Sequence, residues 1–254
     1  GVQTLTLAAG DTGATAGGTG LVTGGDITFT GAAGTTRLGG LTINSGDDVN
    51  FVAGVTSNAL TTTSKSFTAT TITTGSVAGQ AGGAVDINMG TTDGAVSITG
   101  LIDTRGGTRT GAGNGFAGGA VTIDGDTIAV NTINTSGGNA DTEGLGGNAG
   151  LVTLNATNAT PTITLNGATI TAQGGNAATA TAANNNAGTG GAVTFQDAVI
   201  LGTNVSISTT PGTATGSGTA TGGVISFQST VAATSAGVQT LTLAAGDTGA
   251  TAGG

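Results

Sequence analysis

The chain lacks cysteine, histidine, tryptophan and tyrosine altogether. Without cysteine it has neither disulfides nor thiolate ligands for a metal ion. Without histidine it lacks the commonest general base and the commonest metal ligand. Without tryptophan and tyrosine it lacks most of the aromatic platforms on which bases and sugars stack. These absences predict a protein that is not an enzyme, with no catalytic residues, no cofactor and no metal site.

Charged residues are also scarce, and basic ones most of all. Four Lys and Arg residues stand against 13 Asp and Glu residues, a net charge of -9. A surface of this sign repels a phosphate backbone, so no nucleic-acid partner is predicted. No run of about 20 apolar residues is long enough to span a bilayer, so no membrane insertion is predicted either. No signal-peptide pattern opens the chain, and any such leader is expected to lie outside this segment.

What the chain does contain is 52 glycines among 254 residues, with much threonine, alanine and asparagine. At 36% hydrophobic residues it is too apolar for a typical disordered segment. Apolar residues do not persist at helical spacing anywhere, while Gly and β-branched residues dominate. The composition therefore indicates an all-β protein built from short strands.

A long repeat is visible at the two ends of the sequence. Residues 1–18 recur letter for letter as residues 237–254. We interpret residues 1–236 as one complete repeat unit and residues 237–254 as the start of the next, so that the natural protein is a tandem array. A short terminal duplication is the alternative, but it does not explain the shorter repeat inside the unit.

That shorter repeat consists of seven Gly-Gly-x-Val-x-Ile-like segments that recur at unequal intervals. With the step to the next unit, these intervals add up to the length of the long repeat. Alternation predicts that the central residues of the segments face the interior. These residues are Ile27, Val49, Val85, Val121, Val152, Val193 and Ile225.

Each interval holds two further alternating stretches, the last of which resembles Ile133-Asn134-Thr135-Ser136-Gly137-Gly138. Its counterparts begin at Leu41, Ile72, Ile102, Ile170, Ile207 and Leu241. Three short strands and a Gly-rich loop predict one coil of a right-handed parallel β-helix, with about seven coils per unit. Glycine pairs such as Gly82-Gly83 and Gly118-Gly119 are predicted at corners that need a positive φ angle. The longest loops, 175–190 and 210–222, are expected on one side of the rod.

The segments at 133–138 and 146–154 (Gly-Gly-Asn-Ala-Gly-Leu-Val-Thr-Leu) resemble the shaft repeats of filamentous-haemagglutinin-like adhesins. These are large exoproteins of bacterial two-partner secretion, and similar patterns occur in other giant repetitive surface proteins. The resemblance covers essentially the whole chain. It implies a right-handed parallel β-helix, export through an outer-membrane transporter, an extracellular or cell-surface location, and a role in attachment or biofilm cohesion.

Three acidic clusters are the only candidates for a polar site: Asp47-Asp48, Asp124-Gly125-Asp126 and Asp141-Thr142-Glu143. Each could be interpreted as a weak calcium site or as a carboxylate pair for acid/base chemistry. None has the spacing of an EF-hand loop or of a calcium-binding β-roll. We therefore favour the interpretation that these residues form turns and solubilise the rod.

Two binding functions remain as alternatives to a structural shaft. The long Asn- and Thr-rich loops could bind polysaccharide, which would make the chain a glycan-binding β-helical module. An ice-binding protein is less favoured, because it needs regular Thr-x-Thr pairs. The outward residues of the aligned strands form one column that consists mostly of hydroxyl side chains, but the neighbouring column does not consist mostly of hydroxyls.

Four of the six phenylalanines occupy the last inward position of the aligned segments. They are Phe29, Phe51, Phe195 and Phe227, near the two ends of the unit. In a tandem array they would become neighbours and stack across the junction between units. The predicted partners are thus neighbouring identical repeats, along one chain or end to end in a fibre.

Overall fold

The structure is a computed structural model. It describes residues 4–9, 27–31, 33–38, 40–45, 48–57, 59–64, 66–75, 77–89, 94–157, 162–179 and 185–246. Within these ranges the chain forms β-strands and no helix. The strands, in chain order, are β1 (Thr4–Ala9), β2 (Ile27–Phe29), β3 (Ala33–Leu38), β4 (Gly40–Ser45), β5 (Asp48–Phe51), β6 (Val55–Ser57), β7 (Leu60–Thr63), β8 (Ser66–Ala69), β9 (Ile72–Thr73), β10 (Val85–Asn88), β11 (Ala95–Asp103), β12 (Val121–Gly125), β13 (Thr127–Asn134), β14 (Val152–Ala156), β15 (Thr162–Leu165), β16 (Thr169–Thr171), β17 (Val193–Phe195), β18 (Val199–Leu201), β19 (Val205–Ser208), β20 (Ile225–Phe227), β21 (Val231–Ala233) and β22 (Leu241–Ala244).

The strands lie in three rows, and every pairing between them is parallel. The first row is an eight-stranded sheet with the order β1-β4-β7-β10-β12-β14-β17-β20. The second row, β2-β5-β8-β11-β13-β15-β18-β21, belongs to a 14-stranded sheet. The third row, β3-β6-β9-β11-β13-β16-β19-β22, completes that sheet, since the long strands β11 and β13 run through both rows. The prediction of an all-β chain of parallel strands is confirmed.

One strand position from each row, taken in chain order, makes a tier, and the described residues form eight tiers. Alternate residues of each strand point inward, and equivalent residues of successive tiers are in register. In the first row, for example, Val85, Val121, Val152 and Val193 pair in sequence. The inward residues of all three rows meet in one hydrophobic cluster. A strand of three or four residues could not bury its apolar face alone, so stacking is what makes these strands stable.

The predicted inward residues are buried in the middle tiers and partly buried at the ends. Val49, Val85, Val121, Val152 and Val193 are at most 1% exposed. Ile27 and Ile225 pack against the core but remain partly exposed. Ile27 belongs to the first strand of the second row and Ile225 to the last strand of the first row, so each strand lacks a neighbour on one side among the described residues.

The alignment of the first two predicted coils was wrong by one strand. Val49 lies in the second row, paired with Ile27 and Phe67, and the first-row positions are taken by Leu41 and Leu60. Leu41 was predicted in the third strand of a coil. The early tiers are short, since Leu41 is followed one tier later by Leu60. The pair Gly24-Gly25 precedes Ile27 at the spacing that marks the first row in later tiers, although Ile27 lies in the second row, so the sequence pattern indicated the wrong row.

Glycine-rich segments join the third row of one tier to the first row of the next. We call residues 104–120, 135–151, 172–179 with 185–192, and 209–224 the glycine arms. They include the predicted loops within 175–190 and 210–222. Neighbouring arms pair through their backbones: the Gly106 amide donates to Ser136 O at 2.9 Å, and the Gly137 amide donates to Gln173 O at 2.9 Å. The arms therefore continue the stacking of the sheets.

Each arm has an outgoing and a returning limb, which pack against each other and against the limbs of neighbouring arms. The amide of Gly138 donates to Phe116 O, that of Gly147 to Gly138 O, and that of Gly175 to Gly147 O, at 2.8 to 2.9 Å. A Cβ atom on Gly147 would lie 2.1 Å from Phe116 O, and one on Gly175 would lie 2.0 Å from Gly138 O. Only backbones without side chains can approach this closely.

The prediction that paired glycines provide positive φ angles at corners was wrong. The described glycines with positive φ are Gly54, Gly79, Gly111, Gly113, Gly144, Gly216 and Gly237, and none belongs to a pair such as Gly82-Gly83 or Gly118-Gly119. A Cβ on Gly82 would lie 1.8 Å from Thr104 O, and one on Gly119 would lie 2.1 Å from Gly83 O. The pairs are required by close packing of backbones, a demand that local turn chemistry does not reveal.

Candidate functional site

A polar groove runs across several tiers, where the third row meets the glycine arms. Its volume is about 350 Å³. The side chains that line it include Arg105, Asn134, Ser136, Asn139, Gln173 and Asn176. They come from three successive tiers and recur at equivalent positions, because the third-row strands of these three tiers end in the same Ile-x-Thr/Ala-x-Gly pattern. The groove is thus a product of the stacking.

Polar side chains just after the third-row strands are held by hydrogen bonds in all three of these tiers. In the first of these tiers Arg105 donates from Nε and Nη2 to the two carboxylate oxygens of Asp103, at 2.9 and 2.8 Å. In the next tier Asn134 Oδ1 accepts from the amide of Ser136 at 3.1 Å and from its hydroxyl at 2.8 Å. In the third, Gln173 Nε2 donates to Ser208 Oγ and Thr210 Oγ1 one tier on.

The Asp103–Arg105 pair is the one ion pair found among the described residues. The Asp103 side chain is 6% exposed and the Arg105 side chain 44% exposed. The hydrogen bonds that Arg105 donates to Asp103 raise the pKa of Arg105 above its ordinary value, and the charge of Asp103 acts in the same direction, while partial burial opposes the shift. Arg105 therefore presents a fixed positive charge at one end of a groove that is otherwise lined by amides and hydroxyls.

Asparagine side chains link the arms from tier to tier. Asn139 Oδ1 accepts from the amide of Asn176, and Asn176 Oδ1 accepts from the amide of Thr213, both at 2.8 Å. Asn148 Oδ1 accepts from the amide of Thr189 at 3.0 Å. These bonds occupy the amide oxygens and hold each side chain in one orientation. The edge of the groove is therefore an ordered array of amides.

A buried threonine joins each third-row strand to the arm that leads back to the first row. Thr104 Oγ1 donates to Gly119 O at 2.6 Å, and Thr135 Oγ1 donates to Gly150 O at 2.8 Å. Thr74 and Thr209 make the same bond to Gly83 O and Gly223 O. In the tier between Thr135 and Thr209 the equivalent residue is Ala172, which is fully buried. Sequence reasoning missed this contact, although its signal, a Thr two residues after the inward Ile, was present in four of the five tiers.

The acidic clusters of the sequence are drawn into contacts between tiers. Asp124 Oδ1 accepts from Asn155 Nδ2 at 2.7 Å, and Asp141 Oδ2 accepts from the amide of Gly111 at 3.0 Å. Asp126 is 9% exposed and accepts a long bond of 3.4 Å from Thr157 Oγ1. Asp47 lies outside the described residues, as does the side chain of Asp48. Across the part of the chain that the structure describes, no three His, Cys, Asp or Glu side chains come together.

The outward face of the first row carries a more regular hydroxyl column than the sequence suggested. Its members, in register, are Thr6, Thr42, Thr61, Asp86, Thr122, Thr153, Thr194 and Ser226. Thr28 and Asn50, the outward residues of the first two aligned segments, lie instead in the second row. Two positions on, the column contains Asn88, Asp124 and Asn155. Among the described residues this neighbouring column is therefore not the second hydroxyl column that the ice-binding interpretation needs.

Comparison with protein-family models, with curated proteins and with solved structures finds no match to this chain. No helix among the described residues is long and apolar enough to cross a membrane. The groove offers one guanidinium, amides and hydroxyls, which can hydrogen-bond a polar ligand but contain no paired acid and base.

Proposed function

We propose that this chain is a structural repeat of a long secreted or cell-surface adhesin or extracellular fibre. Three rows of parallel strands wind round a single core as a right-handed parallel β-helix, the hand that parallel crossover connections favour. The role of the repeat is to form a rigid shaft for attachment or biofilm cohesion at the surface of a bacterium. The resemblance to filamentous-haemagglutinin-like shafts supports the same role.

The observation that carries this proposal is the stack of tiers with a continuous core. Equivalent residues pair in register along all three rows, and the chain ends in a copy of the segment with which it begins. Each tier adds about 4.8 Å along the stack, so a unit of between seven and eight tiers adds about 37 Å. Such a body extends in one dimension as units are added.

The test is the shape of proteins that contain one, two and four consecutive units. Small-angle scattering should give a maximum dimension that grows by about 37 Å per unit at constant cross-section. Electron micrographs should show unbent rods. Units that behave as beads on a flexible string would contradict the proposal. Antibodies against the repeat should label intact cells of the source organism, and labelling only after lysis would contradict the surface location.

A stability measurement tests whether the core continues from one unit to the next. The rings of Phe195 and Phe227 are stacked, with centroids 4.8 Å apart and planes 7° apart, and Phe227 remains partly exposed. Phe227→Ala should therefore destabilise a two-unit protein more than a one-unit protein. The expected difference is at least about 1 kcal/mol, since a second stacked pair is worth about 0.5–1.5 kcal/mol beyond area burial. Equal losses would contradict a continuous core.

The polar groove supports glycan binding as a second candidate function. Its amides and hydroxyls suit the hydroxyl groups of a neutral polysaccharide, and the repetition of the amide array along the stack matches a repeating polymer. A glycan array probed with the repeat should then show saturable binding that Gln173→Ala weakens. Thr122→Ala, on the hydroxyl column of the first row, is the matched control. If Gln173→Ala does not affect binding, or if no glycan binds, glycan binding by the groove is contradicted and the structural role is the one proposal that remains.

A further inference from the structure

The two ends of the stack expose parts of the hydrophobic core. At the C-terminal end Leu243 is 49% exposed, and Phe227 is partly exposed although its stacking partner Phe195 is fully buried. At the N-terminal end Leu5 is 37% exposed, and Phe29 is partly exposed although its partner Phe51 is fully buried. The strands at both ends also have one backbone edge without a neighbour among the described residues. Such edges are ready to pair with a further strand.

The same sequence occupies different rows at the two ends. Leu5-Thr6-Leu7 belongs to β1 and pairs in the first row with Leu41-Thr42-Ile43. Its copy Leu241-Thr242-Leu243 belongs to β22 and pairs in the third row with Val205-Ser206-Ile207. β1 is the first strand position of the first tier and β22 the last position of the eighth, so 23 positions separate them. Because 23 is not a multiple of three, the copy cannot return to the row in which it began.

We propose that the C-terminal end of each unit is an interface for the N-terminal end of the next copy of the same sequence, docked with a displacement of one row. The inference rests on the tandem array of the proposed function and adds the geometry of its junction. In the next copy, strands equivalent to the first row continue the third row, those equivalent to the second row continue the first, and those equivalent to the third row continue the second.

The positions of the phenylalanines support this displacement independently. Phe29 and Phe51 are stacked in the second row, with centroids 4.5 Å apart and planes 5° apart. Phe195 and Phe227 are stacked in the first row. With the displacement, Phe29 of the next copy lies directly on Phe227, and the four rings form one uninterrupted stack. Without it, Phe29 would lie on Ala233, the last residue of its column in the second row, and the face of Phe227 would stay without a ring.

The displacement gives the shaft a helical surface. Each junction turns the pattern of rows by a third of a turn, so the groove and the glycine arms face the same direction only in every third copy. A shaft of three or more units would therefore present its polar groove on all sides, which suits cohesion between neighbouring fibres in any orientation.

Pairs of introduced cysteines distinguish the displaced junction from the undisplaced one. The chain contains no cysteine of its own. Residues paired in register on neighbouring parallel strands have Cα atoms close enough for a disulfide. In a protein of two units, the displaced junction places Ser226 of the first unit beside Thr28 of the second. The undisplaced junction places Ala232 of the first unit beside that Thr28.

The first variant therefore combines Ser226→Cys in the first unit with Thr28→Cys in the second, and the alternative variant combines Ala232→Cys with the same Thr28→Cys. Thr194→Cys with Ser226→Cys inside one unit is the positive control, since these residues are partners in register. After mild oxidation, thiol labelling and mass spectrometry measure the crosslinked fraction.

The displaced pair should crosslink as completely as the control and at least about five-fold more than the alternative pair. Crosslinking of the alternative pair at the control level would overturn the displacement and leave the continuous shaft intact. If neither junction pair crosslinks while the control does, both the docking and the continuous shaft of the proposed function are wrong.

Discussion

A single methyl group at Gly147 should separate the glycine arms. The amide of Gly147 donates to Gly138 O at 2.9 Å, and its carbonyl accepts from Gly175 at 2.8 Å. A Cβ atom would lie 2.1 Å from Phe116 O and 2.6 Å from Phe116 C. Both clashing atoms belong to the backbone of a paired arm, so no side chain can turn away. The limbs would have to move apart by about 1.4 Å before the contact became an ordinary van der Waals contact of about 3.5 Å.

The expected loss follows from the hydrogen bonds that this movement weakens. Two or three backbone bonds link the limbs at this point, including the 2.8 Å bond from Gly138 to Phe116 O. Each buried group left without its partner costs about 1–3 kcal/mol. Gly147→Ala should therefore lower the free energy of unfolding by about 3–6 kcal/mol, a large part of the 5–15 kcal/mol that is typical of a whole domain.

Equilibrium unfolding in urea provides the measurement, followed by far-ultraviolet circular dichroism because the chain has no tryptophan or tyrosine. Gly31→Ala is the matched control: no atom lies within 4 Å of its added Cβ, and its φ is not positive. The control should be neutral or stabilising by about 0.4–1 kcal/mol through the unfolded state. Hydrogen exchange should show lost protection in the arms around Gly147. Urea midpoints for Gly147→Ala and Gly31→Ala that agree within error would refute the packing argument.

Three further predictions concern the threonine contacts, the ion pair and chemistry at the surface. Thr135→Val should lower the free energy of unfolding by about 1–2 kcal/mol by removing the donor to Gly150 O, and Ala172→Thr should raise it by supplying the missing equivalent. Urea unfolding of both variants checks this, and a destabilising Ala172→Thr would show that the position has no room. Asp103→Asn should lower the free energy of unfolding by no more than about 1 kcal/mol, because Asn134 accepts the same backbone bond one tier on. Asp103→Ala should cost more, because it removes the acceptor. Thermal melts that rank the two variants in the opposite order would contradict the role of Asp103 as the acceptor of this turn. The purified protein should contain no stoichiometric zinc, copper or iron and should hydrolyse no glycan. Stoichiometric metal found by elemental analysis, or glycan hydrolysis that a single Asp substitution abolishes, would contradict this prediction.

The middle of the stack could be predicted from the sequence because one pattern marks each tier there. From Val85 onward, a glycine lies two residues before each first-row strand and an inward Ile or Leu lies in each third-row strand, so the two marks agree with the row of every strand. Before Val85 the tiers are short, and the same glycine pattern, Gly24-Gly25-Asp26-Ile27, precedes a strand of the second row. Three alternating residues such as Val49-Asn50-Phe51 fit any row, and only the pairing of Val49 with Phe67 decides between them. The sequence specifies which residues face inward better than it specifies their neighbours.

The polar groove and the glycine packing could not be predicted, for a different reason. Both depend on atoms brought together from successive tiers that lie far apart in sequence, such as those of Asn139 and Asn176. In the sequence the glycines of the arms resemble turn residues, because turns are where a local sequence pattern normally requires glycine. Their requirement comes from a backbone one tier away. The acidic residues likewise acquired partners, such as Asn155 for Asp124, that no spacing within a cluster could show.

The parallel pairing of the tiers has a mechanical consequence. In the proposed shaft the hydrogen bonds between tiers point along the fibre, so a pull on the two ends of the chain opens them one after another. Forced extension should therefore proceed by peeling, one tier at a time, at a modest and nearly constant force. The first-row partners Val121, Val152 and Val193 begin successive tiers. At about 3.3 Å per residue, peeling the chain from one of these valines to the next would release about 100 to 135 Å in place of about 5 Å of shaft. A fibre with this property lengthens under sudden tension and dissipates the work before its attachment breaks.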